Sequence, residues 1–346
     1  MSDTNTAADG LWTVGRLLKW TSDYFAQHEV DTPRLDAEIL LAKAMKCARI
    51  ELYTKFNDPA SDEARALYRE YVKKHASGMP TAYLIGEKEF YSLSFKVSPD
   101  VLIPRPETEH LVIEVLDIIK NSQVKLLSQQ DKTEGLTENS ENKPGISEEN
   151  TVTDSQTGEA YIKFVPKGNP LKEIQLNFLD IGTGSGVIPV CLAKNLPKCR
   201  FSAVDISEPA LEIARQNAKA HKVESQIEFR RSDLFSSVKS DEKYDFIVSN
   251  PPYIGESERD TIDSSVLNYE PQQALFSGEK GTDLIEKMIA QAPDYLNPGG
   301  WLLFEMSPII HESVINILNN QTKMKYIKTV SDLAKLPRIV VCRKNQ

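Results

Sequence analysis

The chain has 346 residues, of which 40% are hydrophobic and 26% are charged, and its net charge at pH 7 is −9. This composition is typical of a globular protein, and the length predicts two domains. An acidic balance disfavours a general nucleic-acid surface, and no apolar run approaches the roughly 18 residues of a membrane span. The four cysteines are far apart and form no CxxC pair, so neither a zinc site nor a disulfide framework is expected.

The first ten residues, MSDTNTAADG, carry two aspartates and no basic residue. A secretory signal or a mitochondrial presequence would be basic near its start, so a cytoplasmic protein is expected.

Residues 1–88 are predicted to form an N-terminal helical domain. One helix over 32–46 has Thr32 as its N-cap and Pro33 in the first helical position. A further helix begins after Ser61 and ends at Gly78. The domain serves either as a stabilising cap or as a module that docks a partner, and its sequence favours neither.

Residues 89–110 are predicted to be a linker that contains a β-hairpin. Apolar and polar residues alternate over 89–104 around a Ser98-Pro99-Asp100 turn. Pro106 and the acidic residues after it then begin a helix.

Residues 121–165 interrupt the domain that follows, which is predicted to extend over 111–346. Within 121–160 there are eight acidic residues, three lysines and no aromatic residue. Such a segment buries too little apolar surface to offset ordering, so a disordered or loosely held surface insertion is predicted, with an acidic interaction loop as the alternative.

From residue 171 onward, strand and helix patterns alternate. This alternation predicts parallel strands with crossover helices, hence a doubly wound, Rossmann-like α/β sheet. Strands are predicted within 174–182, 200–207, 227–234, 244–250, 300–307 and 339–344, and helices within 186–197, 208–222, 281–296 and 311–320.

A glycine-rich turn follows the first of these strands. Gly182, Gly184 and Gly186 let the backbone turn tightly and approach a ligand, and the helix after them presents free N–H groups. The spacing is GxGxG rather than the GxGxxG of dinucleotide sites. It suits a smaller ligand that has a carboxylate, such as the methionine part of S-adenosylmethionine.

The next two strands each end in an aspartate. Asp205 lies 21 positions after Gly184, where an acid can accept both hydroxyls of an adenosine ribose. Asp233, followed by Leu234 and Phe235, can bind an adenine amino group beside apolar cover. A simple helix cap is the alternative for each of them.

The fourth strand ends in SNPPYI, residues 249–254, whose two prolines fix φ and remove two donors. An amide nitrogen is a poor nucleophile because its lone pair is delocalised. A site that methylates such an NH2 group must therefore hold both hydrogens. The side-chain oxygen of Asn250 and the carbonyl of Pro251 can accept them, Pro252 keeps the turn rigid, and Tyr253 offers a ring face.

These four features in this order resemble a class I S-adenosylmethionine-dependent methyltransferase. NPPY resembles the signature shared by glutamine N5-methyltransferases and DNA adenine N6-methyltransferases. Residues 82–112, AYLIGEKEFYSLSFKVSPDVLIPRPETEHLV, resemble the linker of the release-factor glutamine methyltransferases, the PrmC or HemK family. PRLDAEILLAKAM, YEPQQALFSGEKGTDLIEKMI and SDLAKLPRIVV are similar to that family as well.

The resemblance implies methyl transfer from S-adenosylmethionine to the glutamine of the Gly-Gly-Gln loop of class 1 peptide chain release factors. It implies that the helical domain helps to dock the release factor. No metal is expected, because a sulfonium donor needs none, and the composition predicts no direct contact with nucleic acid or membrane; a monomer is expected. Arg105 and Glu107 would lie near the cofactor cleft. The implied cofactor residues are Gly182, Thr183, Gly184, Ser185, Gly186, Asp205, Asp233, Leu234 and Asn250, and the implied catalytic and substrate-binding residues are Asn250, Pro251, Pro252 and Tyr253.

Two alternatives remain beside this interpretation. DNA adenine methylation would need a target-recognition domain and a basic cleft, which the acidic composition opposes. A non-catalytic protein with the same fold would be expected to lack Asn250 or one of the glycines, and all are present.

The sequence departs from the family pattern in two places. Ser307 and Ile310 stand where Gly and Gln are usual, and the acidic insertion is not usual in the family.

Overall fold

The structure, a computed structural model, describes residues 11–134, 151–153, 160–162 and 170–345. Its N-terminal part is helical, with Ser61 capping a helix through a 3.2 Å hydrogen bond from the Ala64 N–H, as the sequence predicts. Thr32 lies at an N-cap position but donates its hydroxyl to Asp36 instead. The helices are α1 (Val14–Gln27), α2 (Pro33–Met45), α3 (Glu51–Thr54), α4 (Asp62–Ala76) and α5 (Thr81–Ile85).

A two-stranded hairpin, β1 (Glu87–Phe90) and β2 (Leu93–Lys96), joins this part to the larger one. Its predicted position was wrong, because the turn is at Tyr91 and Ser92 and the Ser98-Pro99-Asp100 bend follows the hairpin. Tyr91 and Ser92 have φ values of +51° and +57°, as a two-residue hairpin turn requires. Neither is the glycine or asparagine that usually marks such a turn.

Helix α6 (Glu109–Glu134) follows a short 3₁₀ turn, Pro106–Thr108. The prediction of a disordered insertion over 121–165 is therefore wrong for residues 121–134, which continue the helix. That stretch contains no proline or glycine and is rich in good helix formers. Strands β3 (Thr151–Thr153) and β4 (Ala160–Ile162) then pair with each other, and 135–150, 154–159 and 163–169 lie outside the described residues.

Seven strands form the main sheet in the order β10-β11-β9-β8-β5-β6-β7. The five strands from β9 to β7 are parallel, as predicted, whereas β11 runs antiparallel to both of its neighbours. Strand β10 was not predicted from the sequence. The bounds are β5 (Asn177–Ile181), β6 (Arg200–Asp205), β7 (Ile227–Arg231), β8 (Tyr244–Ser249), β9 (Leu296–Glu305), β10 (Met324–Ser331) and β11 (Pro337–Lys344).

The strand order reverses between β5 and β8, and helices cover the two faces of the sheet. Phe178 stacks between Phe201 and Phe246, with ring centroids 4.7 and 5.1 Å apart, at the centre of one buried layer. The reversal leaves a crevice at the carboxyl ends of β5 and β8, where open α/β sheets bind ligands. The remaining helices are α7 (Val187–Asn195), α8 (Glu208–Ala220), α9 (Ser264–Tyr269), α10 (Asp283–Tyr295) and α11 (His311–Asn319).

Across the described parts of the chain, every helix is too short or too polar to cross a membrane.

Candidate active site

A cavity of about 410 Å³ occupies the crevice at the carboxyl ends of the parallel strands. Strands β5 and β8 pair in parallel with Ile181 opposite Ser249, so the turns that follow them open side by side. The sequence-predicted residues that line the cavity are Gly182, Thr183, Gly184, Ser185, Asp205, Asp233, Leu234, Asn250, Pro251 and Pro252. Gly186 and Tyr253 are not part of its lining.

The glycines of the turn after β5 have two different tasks. Gly182 and Gly184 have φ values of +70° and +53°, and a Cβ on either would meet nothing within 4 Å. That open space belongs to the cavity, which lets a ligand approach the backbone. Gly186 has φ +79°, and a Cβ there would lie 3.0 Å from Cβ of Ala214, so this glycine permits close packing of α8.

Asp205 ends β6 beside the glycine turn. One carboxylate oxygen accepts the Gly184 N–H at 2.8 Å and the other accepts the Ser207 N–H at 2.9 Å. Burial raises the pKa of this carboxyl, and the backbone hydrogen bonds oppose that rise. Each oxygen retains a lone pair, so the carboxylate that shapes the turn can also accept a ligand hydroxyl.

Asp180 lies beneath the same turn and is 1% exposed. Neither of its carboxyl oxygens has a hydrogen-bond partner of standard geometry among the described residues. Burial raises the pKa of Asp180 to about 7, the nearby Asp205 adds to the rise, and Thr183 opposes it. A buried acid without donors is costly in its charged form, so its neutral form is favoured.

The turn after β8 is clamped by the segment over 275–281. Ile254 bridges to Phe276, and its N–H donates to the Leu275 carbonyl at 3.0 Å. Gly281 has φ +78°, and a Cβ there would lie 2.3 Å from the carbonyl oxygen of Tyr253. Only glycine allows this contact, which fixes the backbone immediately after the two prolines.

Two polar contacts at this corner escaped the sequence prediction. The Asn250 side-chain Nδ2 donates to Thr108 Oγ1 at 3.0 Å, and the Tyr253 hydroxyl donates to Glu305 at 3.1 Å. Thr108 lines the cavity, whereas Tyr253 points its hydroxyl away toward β9. The predicted ring face of Tyr253 for a substrate is therefore not part of the cavity wall. These partners lie 142 and 52 residues apart in the chain, so no local pattern announces them.

The linker residues Arg105 and Glu107 do not line the cavity either. Arg105 donates at 2.6 Å to Glu270, whose side chain is 1% exposed. The same carboxylate accepts the Ile103 N–H at 3.1 Å. This pair of a half-buried arginine and a buried glutamate ties the linker to the loop that covers the cavity.

The polar groups of this crevice match those of S-adenosylmethionine. Gly182 and Gly184 leave room for its carboxylate beside the N-terminus of α7. Asp205 presents carboxylate oxygens and Leu234 an apolar side chain to the same cavity, as ribose hydroxyls and an adenine ring would require. Fold and cavity together place the protein among the class I methyltransferases, which take the methyl group from S-adenosylmethionine.

Comparison with known proteins narrows this class. Models of the PrmC N-terminal domain and of the methyltransferase small domain match residues 16–86 and 168–278. The chain is 40% identical to a release factor glutamine methyltransferase of Rhodopirellula baltica, over 98% of its own length and 99% of the relative's. It is 37% identical to the Koribacter versatilis enzyme of that name, over 91% and 93%. The chain belongs to the release factor glutamine methyltransferase family.

Among solved structures, the chain is similar to a ribosomal protein L11 methylase from Lactobacillus delbrueckii subsp. bulgaricus, with 19% identity and a TM-score of 0.37 over 50% of this chain and 72% of the other.

Proposed function

We propose that this enzyme methylates the side-chain N5 of the glutamine in the Gly-Gly-Gln motif of class 1 peptide chain release factors. The family assignment supports this substrate. The observation that carries the proposal is the Asn250-Pro251-Pro252 corner, which opens into the same cavity as the glycine turn and Asp205. An amide acceptor site and a cofactor site thus share one chamber.

The residues of the corner are proposed to act by holding the amide. The Asn250 side-chain oxygen and the Pro251 carbonyl each accept one hydrogen of the substrate NH2 group, which aligns its nitrogen for in-line displacement. The nitrogen forms a bond to the methyl carbon while the carbon–sulfur bond breaks, giving S-adenosylhomocysteine. One N–H proton then passes to solvent, leaving N5-methylglutamine.

The N-terminal helices are proposed to dock the release factor. Between α1 and α4 lies a groove of about 280 Å³, lined by aromatic side chains that include Trp20 and Tyr24, which stack with centroids 5.1 Å apart. Arg69 and Lys73 lie one turn apart along α4, both exposed and in no salt bridge with another described residue. A cationic, aromatic groove on an acidic protein suits an acidic segment of the partner.

Charge reversal tests this docking. We expect Arg69→Glu/Lys73→Glu to raise KM for the intact release factor about tenfold or more, with KM for a short Gly-Gly-Gln peptide unchanged. Lys19→Glu, on α1 outside the groove lining, is the matched control. An unchanged KM for the intact factor in the double variant would rule the groove out.

The enzyme is proposed to act as a monomer. A cytoplasmic location is proposed because the expected substrates act in translation. DNA adenine methylation has no comparable support, since the relatives are glutamine methyltransferases and the chain carries a net charge of −9.

Replacement of Asn250 tests the proposed chemistry. Asn250→Ala removes one amide acceptor, so we expect methyl transfer to a release factor to fall about a hundredfold or more. Cofactor affinity, measured by calorimetry, should change little, because the glycine turn and Asp205 are intact. Asn195→Ala, at the far end of α7, is the control. Turnover near the wild-type rate in Asn250→Ala would refute the assignment.

A further inference from the structure

A chain of hydrogen bonds runs beneath Asn250 into the interior. Asn250 Nδ2 lies 3.0 Å from Thr108 Oγ1, and Thr108 Oγ1 donates to Glu305 Oε2 at 2.6 Å. The Tyr253 hydroxyl donates to the other oxygen of Glu305 at 3.1 Å. Thr108 and Glu305 are 2% and 1% exposed, so water does not compete for these bonds. Neither residue has a part in the chemistry described above.

The direction of these bonds matters because a carboxamide has two faces of nearly equal shape. Turning the Asn250 amide by 180° exchanges its oxygen and nitrogen without a steric cost, and only hydrogen bonding selects between the two orientations. Only the orientation with the oxygen toward the cavity offers an acceptor to a substrate NH2 group. The other orientation presents a donor and repels it.

Glu305 sets that direction when its carboxyl is ionised. A carboxylate can only accept hydrogen bonds, so Thr108 must donate its single hydroxyl proton to Glu305. The Thr108 oxygen is then left as an acceptor for Asn250 Nδ2, and the Asn250 oxygen faces the cavity. We propose that Thr108 and Glu305 are positioning residues that keep the Asn250 carboxamide oxygen turned toward the substrate amide, an inference that rests on the proposed function.

The Glu305 carboxylate also anchors Tyr253. The Tyr253 hydroxyl is fixed to Glu305 and its ring packs against the core layer between the sheet and α10, away from the cavity lining. One buried carboxylate therefore orients a side chain at the start of the Asn250–Tyr253 corner and anchors the residue at its end. Glu305 is 1% exposed and burial raises the pKa of its carboxyl, while the hydrogen bonds donated by Thr108 and Tyr253 oppose that rise and favour the ionised form.

Threonine variants separate orientation from packing. Thr108→Val keeps the shape and removes the acceptor, so the productive orientation would leave Asn250 Nδ2 unpaired against an apolar side chain. An unpaired carbonyl oxygen is tolerated better than an unpaired N–H group, so the reversed orientation predominates and kcat for the release factor should fall roughly tenfold. Thr108→Ser retains the hydroxyl and should recover activity to within about threefold of wild type. The affinity for S-adenosylmethionine should stay within about twofold in both. Thr329→Val, which removes a hydroxyl bonded to His311 and Tyr326 on the outer edge of the sheet, is the matched control.

Glu305→Gln tests the direction of the chain itself. Its side-chain NH2 can donate to Thr108, whose hydroxyl can then donate to the Asn250 oxygen and turn the amide round. We expect kcat to fall about as far as in Thr108→Val. The side-chain NH2 resonances of Asn250, assigned through their loss in Asn250→Ala, should shift in both variants and not in Thr329→Val.

The outcomes are distinct. Wild-type kcat in Thr108→Val or in Glu305→Gln would overturn the proposal, as would a Thr108→Ser variant no better than Thr108→Val. A matching loss of cofactor affinity would also overturn it, since that indicates a collapsed pocket. If the wild-type enzyme fails to methylate a release factor while the Asn250 resonances still shift as expected, the proposed substrate is wrong and the positioning role stands.

Discussion

Three glycines with positive φ test the turn that builds the cofactor site, because Gly184 and Gly186 lie in that turn and Gly86 lies outside it. Alanine at Gly86, Gly184 or Gly186 forces a Cβ into the left-handed region in each case, with φ of +76°, +53° and +79°. That conformation costs an alanine about 1–2 kcal/mol. The three positions differ in what the new methyl group would meet.

At Gly86 and Gly184 a Cβ has nothing within 4 Å, so the conformational cost stands alone. At Gly186 the Cβ would lie 3.0 Å from Cβ and 3.2 Å from Cα of Ala214, which is helix backbone that cannot move freely. Overpacking of this kind adds about 1–3 kcal/mol. We therefore expect Gly186→Ala to lower the free energy of unfolding by about 2–5 kcal/mol, against about 1–2 kcal/mol for the other two variants.

Cofactor affinity should distinguish Gly184→Ala from Gly86→Ala, although the two variants are expected to be equally stable. Gly184 borders the cavity, so its new methyl group would occupy space open to the ligand, and we expect affinity to fall about tenfold or more. Gly86 lies outside the cavity lining, so Gly86→Ala should bind S-adenosylmethionine as the wild type does. Urea unfolding followed by circular dichroism gives stability, and calorimetry gives affinity. Equal stability of Gly186→Ala and Gly86→Ala, or equal affinity of Gly184→Ala and Gly86→Ala, would refute this division of roles.

Two charged pairs give further predictions. Arg105→Ala leaves the buried Glu270 carboxylate without its cation and should lower the free energy of unfolding by about 3 kcal/mol, measured by urea unfolding. The double variant Arg105→Ala/Glu270→Gln should recover most of that loss, because no charge is then left unpaired. A double variant as unstable as Arg105→Ala would contradict the role of the pair. In the helical domain, His75 Nε2 lies 3.4 Å from Asp36 Oδ2. Burial lowers the pKa of His75, but the Asp36 carboxylate and the Met79 carbonyl together raise it above 6.5. Burial raises the pKa of Asp36, but His75, Thr32 and Thr81 together lower it below 3.8. Stability should therefore decline as pH rises through the raised His75 pKa, and as pH falls through the lowered Asp36 pKa. His75→Gln should abolish the decline on the alkaline side, measured as melting temperature against pH, and an unchanged profile would contradict it.

The strands and turns around the cofactor were predictable because their signals are local. The apolar runs of β5, β6 and β8 are followed by a polar residue, which is Asp180, Asp205 and Asn250 respectively. All three lie at the same edge of the sheet. Strand β10 was missed because it lies at the edge of the sheet, where polar and lysine side chains are exposed and the apolar alternation is weak.

The Thr108 and Glu305 contacts could not be predicted in the same way. They depend on the folded sheet placing residues 197 positions apart within 2.6 Å of each other. The hairpin turn at Tyr91 and Ser92 was missed for a different reason, since neither residue favours positive φ and the pairing of β1 with β2 imposes it. Gly186 was assigned to the cofactor because it belongs to the glycine-rich turn, whereas its packing against Ala214 becomes evident only with α8 in place.

The most direct measurement is methyl transfer from radiolabelled S-adenosylmethionine to three acceptors in parallel. These are a purified release factor, its Gly-Gly-Gln→Gly-Gly-Ala variant, and adenine-containing DNA. The account predicts label on the intact factor alone, located by mass spectrometry on the glutamine side chain. Label on the Gly-Gly-Ala variant or on DNA would contradict it, and would give the Asn250-Pro251-Pro252 corner another acceptor.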